Sequence, residues 1–123
     1  MYYQDKTAIC KNVTAPDSVR IFKECFVSNS ILGENVTVGD RSRIVDSEMD
    51  EHVIIQRGNL VTASKLGRYT STMHNTTIFN STIGKFCAIS WGVSIGGASH
   101  EYRNATIHGF ISCKDFGLLD DTP

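Results

Sequence analysis

Aliphatic residues recur along this chain with a period of 17 residues, and Val27, Ile44, Val61, Ile78 and Ile95 mark one position of that period. Five more positions in each period, lying 3, 5, 9, 11 and 15 residues further on, are also uncharged. In the second period these positions hold Ser30, Leu32, Val36, Val38 and Ser42. From Cys10 to Val93, five periods of six positions give 30 candidates for the interior, and none is charged although 20% of the chain is. The pattern therefore predicts a repeating core, in which Asn59 is the one sizeable polar residue.

Each period divides into segments of 5, 6 and 6 residues, led by an aliphatic residue and with a small residue near the end. Side chains alternate along a strand, so the leading residue and the residue four positions later point to the same side. Three such segments predict a triangular coil of short strands, and coils stacked about 4.8 Å apart pair their backbone groups. Five coils predict a prism about 24 Å tall. The spacing is not that of an amphipathic helix, and the polar reversals of a β-sandwich are missing.

Composition also favours extended backbone. Val, Ile and Thr together make 32 of the 123 residues, against five Leu and six Ala. Stiff, β-branched side chains favour strands and the common helix formers are scarce. The sequence therefore predicts an all-β fold.

Two stretches carry a family resemblance: Leu32 to Asp40, with the sequence LGENVTVGD, and Ile83 to Ser90, with the sequence IGKFCAIS. They resemble the hexapeptide repeat of left-handed parallel β-helix proteins, and the match spans about residues 10–96. The resemblance implies a left-handed β-helix of about five coils. The handedness comes from the resemblance, because periodicity alone does not determine it.

The repeat stops after Ile95, and the segment from Gly84 to Phe110 resembles the xenobiotic acetyltransferases of the chloramphenicol and streptogramin type. In that family a Gly-rich turn leads to a loop that carries a histidine, followed by a Ser/Thr-rich stretch and a Phe. Gly97, His100, Thr106 and Phe110 fit these positions. The resemblance implies transfer of an acetyl group from acetyl-CoA to the hydroxyl or amine of a small-molecule acceptor. His100 would be the catalytic general base, a role suited to an imidazole that titrates near neutral pH.

We expect a single domain, residues 1–123, with β-helix coils over 10–95 and an active-site-type loop and C-terminal cap over 96–123. Family members continue with several more coils that form the coenzyme A groove, whereas this sequence ends at Pro123. We therefore expect a shortened protein. The alternative hypothesis is a catalytically inactive β-helix with a role in assembly.

Aromatic residues mark a possible interface. Asn35, His52, Tyr69 and Phe86 occupy one outward corner position in successive coils, with Trp91 nearby. Together with Phe110, the aromatics Tyr69, Phe86 and Trp91 are candidates for a subunit interface or an acceptor wall, against the alternative of a solvent-facing corner. Family members assemble as trimers, and the last coil exposes unpaired backbone groups. We therefore expect a homo-oligomer, most simply a trimer.

Charge narrows the possible partners. Twelve basic and thirteen acidic residues leave a net charge of −1, which gives no electrostatic footprint for nucleic acid or a membrane. No apolar run approaches a membrane span and the N-terminus lacks signal-peptide features, so we expect a soluble, cytoplasmic protein. In that compartment Cys10, Cys25, Cys87 and Cys113 are expected to be reduced thiols.

Three other functions fit poorly. Gly92–Gly96 matches the G-x-S-x-G pattern, but Val93 and Ile95 take inward positions of the repeat. The γ-type carbonic anhydrases hold zinc with three histidines, and the spacings 52, 74 and 100 do not place a trio on one ridge. Ice-binding β-helices display outward threonines, whereas Thr70 and Thr72 are predicted to point inward.

Overall fold

The computed structural model describes residues 2–96 and the backbone of one further strand. In this part of the chain every regular element is a β-strand, and no helix has the length and hydropathy needed to cross a membrane. The strands are β1 (Tyr3–Gln4), β2 (Ile9–Thr14), β3 (Arg20–Ile21), β4 (Phe26–Leu32), β5 (Thr37–Val38), β6 (Arg43–Val45), β7 (Glu48–Met49), β8 (Ile54–Ile55), β9 (Leu60–Thr62), β10 (Lys65–Leu66), β11 (Ser71–Thr72), β12 (Thr77–Phe79), β13 (Thr82–Ile83), β14 (Cys87–Ile89), β15 (Ser94–Ile95) and β16 (Ile111–Cys113).

The strands form three faces of a prism. Face 1 contains the first part of β4 followed by β6, β9, β12 and β15, and face 2 contains the end of β4 followed by β7, β10 and β13. The long strands β2 and β4 pair with each other along both parts and so join these faces into one nine-stranded sheet. Face 3 is a separate sheet, with the order β1-β3-β5-β8-β11-β14-β16. Its last strand, β16, pairs antiparallel with β14.

The register repeats every 17 residues, as the sequence predicted. On face 3 the parallel partners of Ile54 are Thr37 in the coil before and Ser71 in the coil after. The same coil-to-coil offset holds on the other faces, where Ile44 pairs with Val61 and Lys65 with Thr82. The fold is a left-handed parallel β-helix of about five turns, which confirms the predicted fold class.

The core consists of the positions that the pattern assigned to the interior. Of the 30 candidates, 27 are buried, and the other three, Cys10, Val13 and Ala15, are half-buried. These three lie in the first coil, which has a neighbouring coil on one side only. Thr70 and Thr72 are fully buried, so the predicted inward direction of this Thr-x-Thr triplet is confirmed.

Each corner is turned by one residue in the left-handed backbone region, and the corners follow the 5, 6, 6 division. Corner A lies between faces 2 and 3, corner B between faces 3 and 1, and corner C between faces 1 and 2. Corner A consists of Asn35, His52, Tyr69 and Phe86; corner B of Arg41, Gly58, Asn75 and Gly92; corner C of Asn29, Asp46, Ala63 and Asn80. Positive φ is uncommon for residues other than Gly and Asn. The bulky corner residues therefore need compensating contacts.

Polar residues inside the prism pair with its backbone. Ser30, Ser47, Ser64 and Ser81 form a ladder along the axis, in which each hydroxyl donates to the carbonyl two residues before it. Ser47 Oγ also accepts the backbone N–H of Ser64 at 3.2 Å, so the ladder links successive coils. Asn59 Nδ2 donates to the carbonyls of Gln56, Arg57 and Met73. Backbone groups that would otherwise be unpaired inside the coil are thus satisfied.

The cysteines differ in part from the expectation. Cys10 and Cys25 are free thiols, but Cys87 is disulfide-bonded, so the prediction of a reduced thiol is wrong for Cys87. Linear spacing gave no sign of this, because Cys87 belongs to β14 and contacts within β14 are set by the fold.

Candidate functional site

Outward side chains of successive coils form ladders, and one ladder lies at corner A. The rings of His52 and Tyr69 stack with centroids 4.6 Å apart and an angle of 4° between their planes. Tyr69 and Phe86 stack at 5.5 Å and 11°. We call His52, Tyr69 and Phe86 the aromatic ladder. Its spacing follows from the distance of about 4.8 Å between coils, which is close to the optimum for stacked rings.

The aromatic ladder stabilises an otherwise unfavourable backbone. All three residues have φ close to +60°, a conformation that bulky side chains rarely adopt. A stacked aromatic pair contributes about 0.5–1.5 kcal/mol beyond burial, which is comparable with the cost of such a conformation. Between the rings the faces are covered by one another, and Tyr69 remains 47% exposed. What this part of the ladder presents to the outside is mainly ring edges.

His52 is held at both ring nitrogens. Asn35 Nδ2 lies 3.1 Å from Nε2, and a hydrogen bond there has the amide donating to the ring. The other nitrogen, Nδ1, is buried and has no hydrogen-bond partner among the described residues. A general base needs a ring nitrogen within reach of the substrate proton. His52 is therefore poorly placed for that role.

Corner B carries a second ladder with different chemistry. Asp40, Arg57, His74 and Trp91 each precede a corner B residue and lie one coil apart. The rings of His74 and Trp91 stack with centroids 6.3 Å apart and an angle of 15°, and Trp91 is 60% exposed. Asp40 Oδ1 accepts the backbone N–H of Lys23 at 3.1 Å. We call these four residues the corner B ladder.

A shallow cavity of about 450 Å³ opens beside the corner B ladder and is lined by Gly39, Asp40, Gln56, Arg57 and His74. It brings a carboxylate, a guanidinium and an imidazole together on an open surface. Such a site can offer hydrogen-bond donors and acceptors to a polar ligand. It does not enclose a ligand.

The position of Trp91 differs from the sequence interpretation, which grouped it with Tyr69 and Phe86. Strand β14 of face 3 separates Phe86 at corner A from Trp91 beside corner B, so Trp91 contacts His74 instead. The 17-residue period could have shown this, because 40, 57, 74 and 91 share one outward position of the repeat. His100 and Phe110 lie outside the described residues.

The free thiols are poor nucleophiles. Burial raises the pKa of the Cys25 thiol, and the pKa of the Cys10 thiol is raised for the same reason. Cys25 Sγ also lies 3.0 Å from the carbonyl oxygen of Gly39, to which it donates. Since the thiolate is the reactive form, neither cysteine is suited to covalent catalysis at neutral pH. Within residues 2–96, no three His, Cys, Asp or Glu side chains come together as a metal site.

Comparison with known proteins finds likeness in structure rather than in sequence. No protein family and no curated protein matches the chain. The acetyltransferase domain of PglB from Neisseria gonorrhoeae FA1090 is similar, with a TM-score of 0.44 and 17% identity over 83% of this chain and 55% of that one. A mutant of perosamine N-acetyltransferase from Caulobacter crescentus, solved with CoA and GDP-perosamine, has a TM-score of 0.40 and 13% identity over 83% and 58% of the two chains. The chain thus spans little more than half the length of either.

Proposed function

We propose that this chain belongs to an acetyl-CoA-dependent acyltransferase that acetylates a hydroxyl or amine of a small-molecule acceptor. The observation that carries the proposal is the hexapeptide register itself. It runs unbroken to Ile95, directly before the segment that resembles the histidine loop of the xenobiotic acetyltransferases. The residues of that loop, with His100 among them, supply the chemistry.

His100 is the proposed catalytic base. It would take the proton from the acceptor hydroxyl or amine as that group attacks the thioester carbonyl, and a neutral imidazole can accept and return a proton near pH 7. The described histidines support this choice, because His52 is held at both ring nitrogens and His74 stacks against Trp91.

Acetyl-CoA would supply the acetyl group as a thioester. The cavities described on the prism are shallow surface depressions, lined at corner B by short and charged side chains. They do not form a groove that encloses a coenzyme. We therefore assign no coenzyme contact to residues 2–96 and place these contacts elsewhere in the assembly.

The proposal includes a homo-oligomer, most simply a trimer, in the cytoplasm. Tyr69 and Phe86 suit a subunit interface, since their ring edges face outward beside the charged row that precedes corner A. Residues 96–123 would cap the last coil, and the pairing of β16 with β14 supports this at face 3. Phe110 would line the acceptor side of the loop.

The alternative is a shortened β-helix without activity, whose role is assembly. The shallow cavities of the described surface favour it, because neither resembles an enclosed active site. The two hypotheses differ in whether the chain turns over acetyl-CoA.

Release of the coenzyme A thiol tests the proposal directly. Purified protein is incubated with acetyl-CoA and a panel of amino and hydroxyl acceptors, and the free thiol is followed with a chromogenic disulfide. We expect acceptor-dependent release, and His100→Ala should lower turnover roughly 10²- to 10⁴-fold, the usual contribution of a general base. His108→Ala is the matched control in the same segment and should retain activity. Absence of release with every acceptor supports the inactive β-helix, and an equal loss in the two variants rules out a specific role for His100.

A further inference from the structure

A row of charges beside corner A changes sign halfway along the prism. Glu34, Glu51, Arg68 and Lys85 occupy the same position in four successive coils, directly before the corner A residues. The row reads acid, acid, base, base. Its midpoint lies between the coils of Glu51 and Arg68, and the sign reverses across that point.

Face 2 carries the same reversal. Glu48 and Lys65 are exposed parallel neighbours on β7 and β10, on either side of the same midpoint. Between them and the row, the face is low, because Gly33 and Gly67 have no side chain. A shallow cavity of about 420 Å³ lies here, lined in part by Gly33, Gly67, Glu48 and Lys65. Another surface can therefore come close to this strip.

We propose that face 2 and its charged row dock against a second copy of this chain, with the two prisms antiparallel about a two-fold axis. The axis lies along the strands, midway between the coils of Glu51 and Arg68. It places each coil above the midpoint opposite the coil equally far below it in the partner. Two-fold contacts require a self-complementary surface, and a row with this reversal meets the requirement.

Three kinds of ion pair follow, each formed twice. Glu51 lies opposite the second copy's Arg68, Glu34 opposite its Lys85, and Glu48 opposite its Lys65. Charge complementarity of this kind sets orientation and excludes wrong registers. A shift of the partner by one coil would bring like charges together, so the row also fixes the register of the contact.

The contact is expected to be weak. Four coils about 4.8 Å apart and five residues of about 3.3 Å each cover roughly 300 Å² per chain, well below the roughly 800 Å² of a stable interface. Glu51 and Arg68 are also neighbours within one chain, which compensates part of their charge. Glu34 accepts a hydrogen bond from Ser18 Oγ at 2.7 Å, and the Arg68 guanidinium lies 5.5 Å from the centre of the Phe86 ring. These contacts hold the two side chains at the corner.

This pairing is separate from the trimer proposed above. A three-fold axis along the prism brings coils of equal height together, whereas the two-fold axis brings together coils of opposite charge. The two-fold contact therefore predicts an association step that depends strongly on salt, whatever the enzymatic activity of the chain.

Sedimentation equilibrium of charge variants tests the proposal. One variant makes the row entirely positive (Glu34→Lys with Glu51→Lys), one makes it entirely negative (Arg68→Glu with Lys85→Glu), and one combines all four changes and so inverts the row. Glu24→Lys with Asp40→Lys, beside corner B, is a control with the same change in net charge as the positive row. Circular dichroism verifies that each variant retains the β-helix.

We expect wild type to pair reversibly, with a dissociation constant that rises at least about tenfold between about 50 and 500 mM NaCl. The positive and negative rows should lose the two-fold step alone and regain it when mixed. The inverted row should pair like wild type, because the reversal is preserved. The proposal is overturned if wild type shows no salt-dependent pairing, if the folded inverted row fails to pair, or if the corner B control loses pairing as fully as the positive row does.

Discussion

Two adjacent isoleucines in β8 offer a stringent test of the coil register. Ile55 is 1% exposed and Ile54 is 42% exposed, although they differ by one position in the same strand. Replacement by Ala removes the same three carbons at either site. At Ile55 the lost transfer free energy is about 2.4 kcal/mol and the remaining cavity adds up to about 2 kcal/mol. At Ile54 much of the side chain is already hydrated, so the loss is about 1 kcal/mol.

Urea unfolding followed by circular dichroism measures both changes. With a slope of about 2 kcal/mol per molar urea, Ile55→Ala should lower the midpoint by about 1.5 M or more and Ile54→Ala by about 0.5 M. If Ile55→Ala does not fold, Ile55→Val gives a smaller loss of about 0.5–1.5 kcal/mol and keeps the comparison with Ile54→Val possible. Equal shifts at the two positions, or a larger shift at Ile54, would refute the inward and outward assignment on which the fold is built.

Three further outcomes follow from specific contacts. Ser47→Ala removes the acceptor of the buried Ser64 N–H and should cost about 1–3 kcal/mol, with faster hydrogen exchange at the Ser64 amide; an unchanged exchange rate would contradict the ladder. Tyr69→Ala removes both ring contacts and should cost about 1–3 kcal/mol by thermal unfolding, whereas Tyr69→Phe should be nearly neutral; equal losses would argue against stacking. Because burial raises the pKa of the Cys25 thiol, the unfolded chain ionises first, so stability should fall as pH rises above about 8.5; Cys25→Ala should flatten this decline, and an unchanged slope would contradict it.

The interior could be predicted because one rule governs it. A charged side chain inside a coil of three strands has no partner, so the period of uncharged residues, from Val27 to Ile95, recorded which positions point inward. The 5, 6, 6 division located the corners for the same reason, since each segment must turn before the next strand begins. Even Asn59 fits the rule, because its amide pairs with three carbonyls.

The outward surface could be predicted only in part. Packing does not restrict outward residues, so no single rule connects Asp40, Arg57, His74 and Trp91, and the corner B ladder was not recognised before the fold was known. The disulfide at Cys87 was missed because it depends on contacts across the fold rather than on spacing. The role of His100 stays a prediction, since this residue lies outside those that the structure describes.

Calorimetric titration of the 123-residue chain with acetyl-CoA is the most direct test of the proposed acyltransferase function. The proposal predicts saturable binding, with His100→Ala binding the coenzyme about as well as wild type, because a general base acts on the acceptor proton and not on the affinity for acetyl-CoA. Absence of binding at millimolar acetyl-CoA, in protein that unfolds cooperatively in urea, would contradict the proposal and leave a β-helix whose role is assembly.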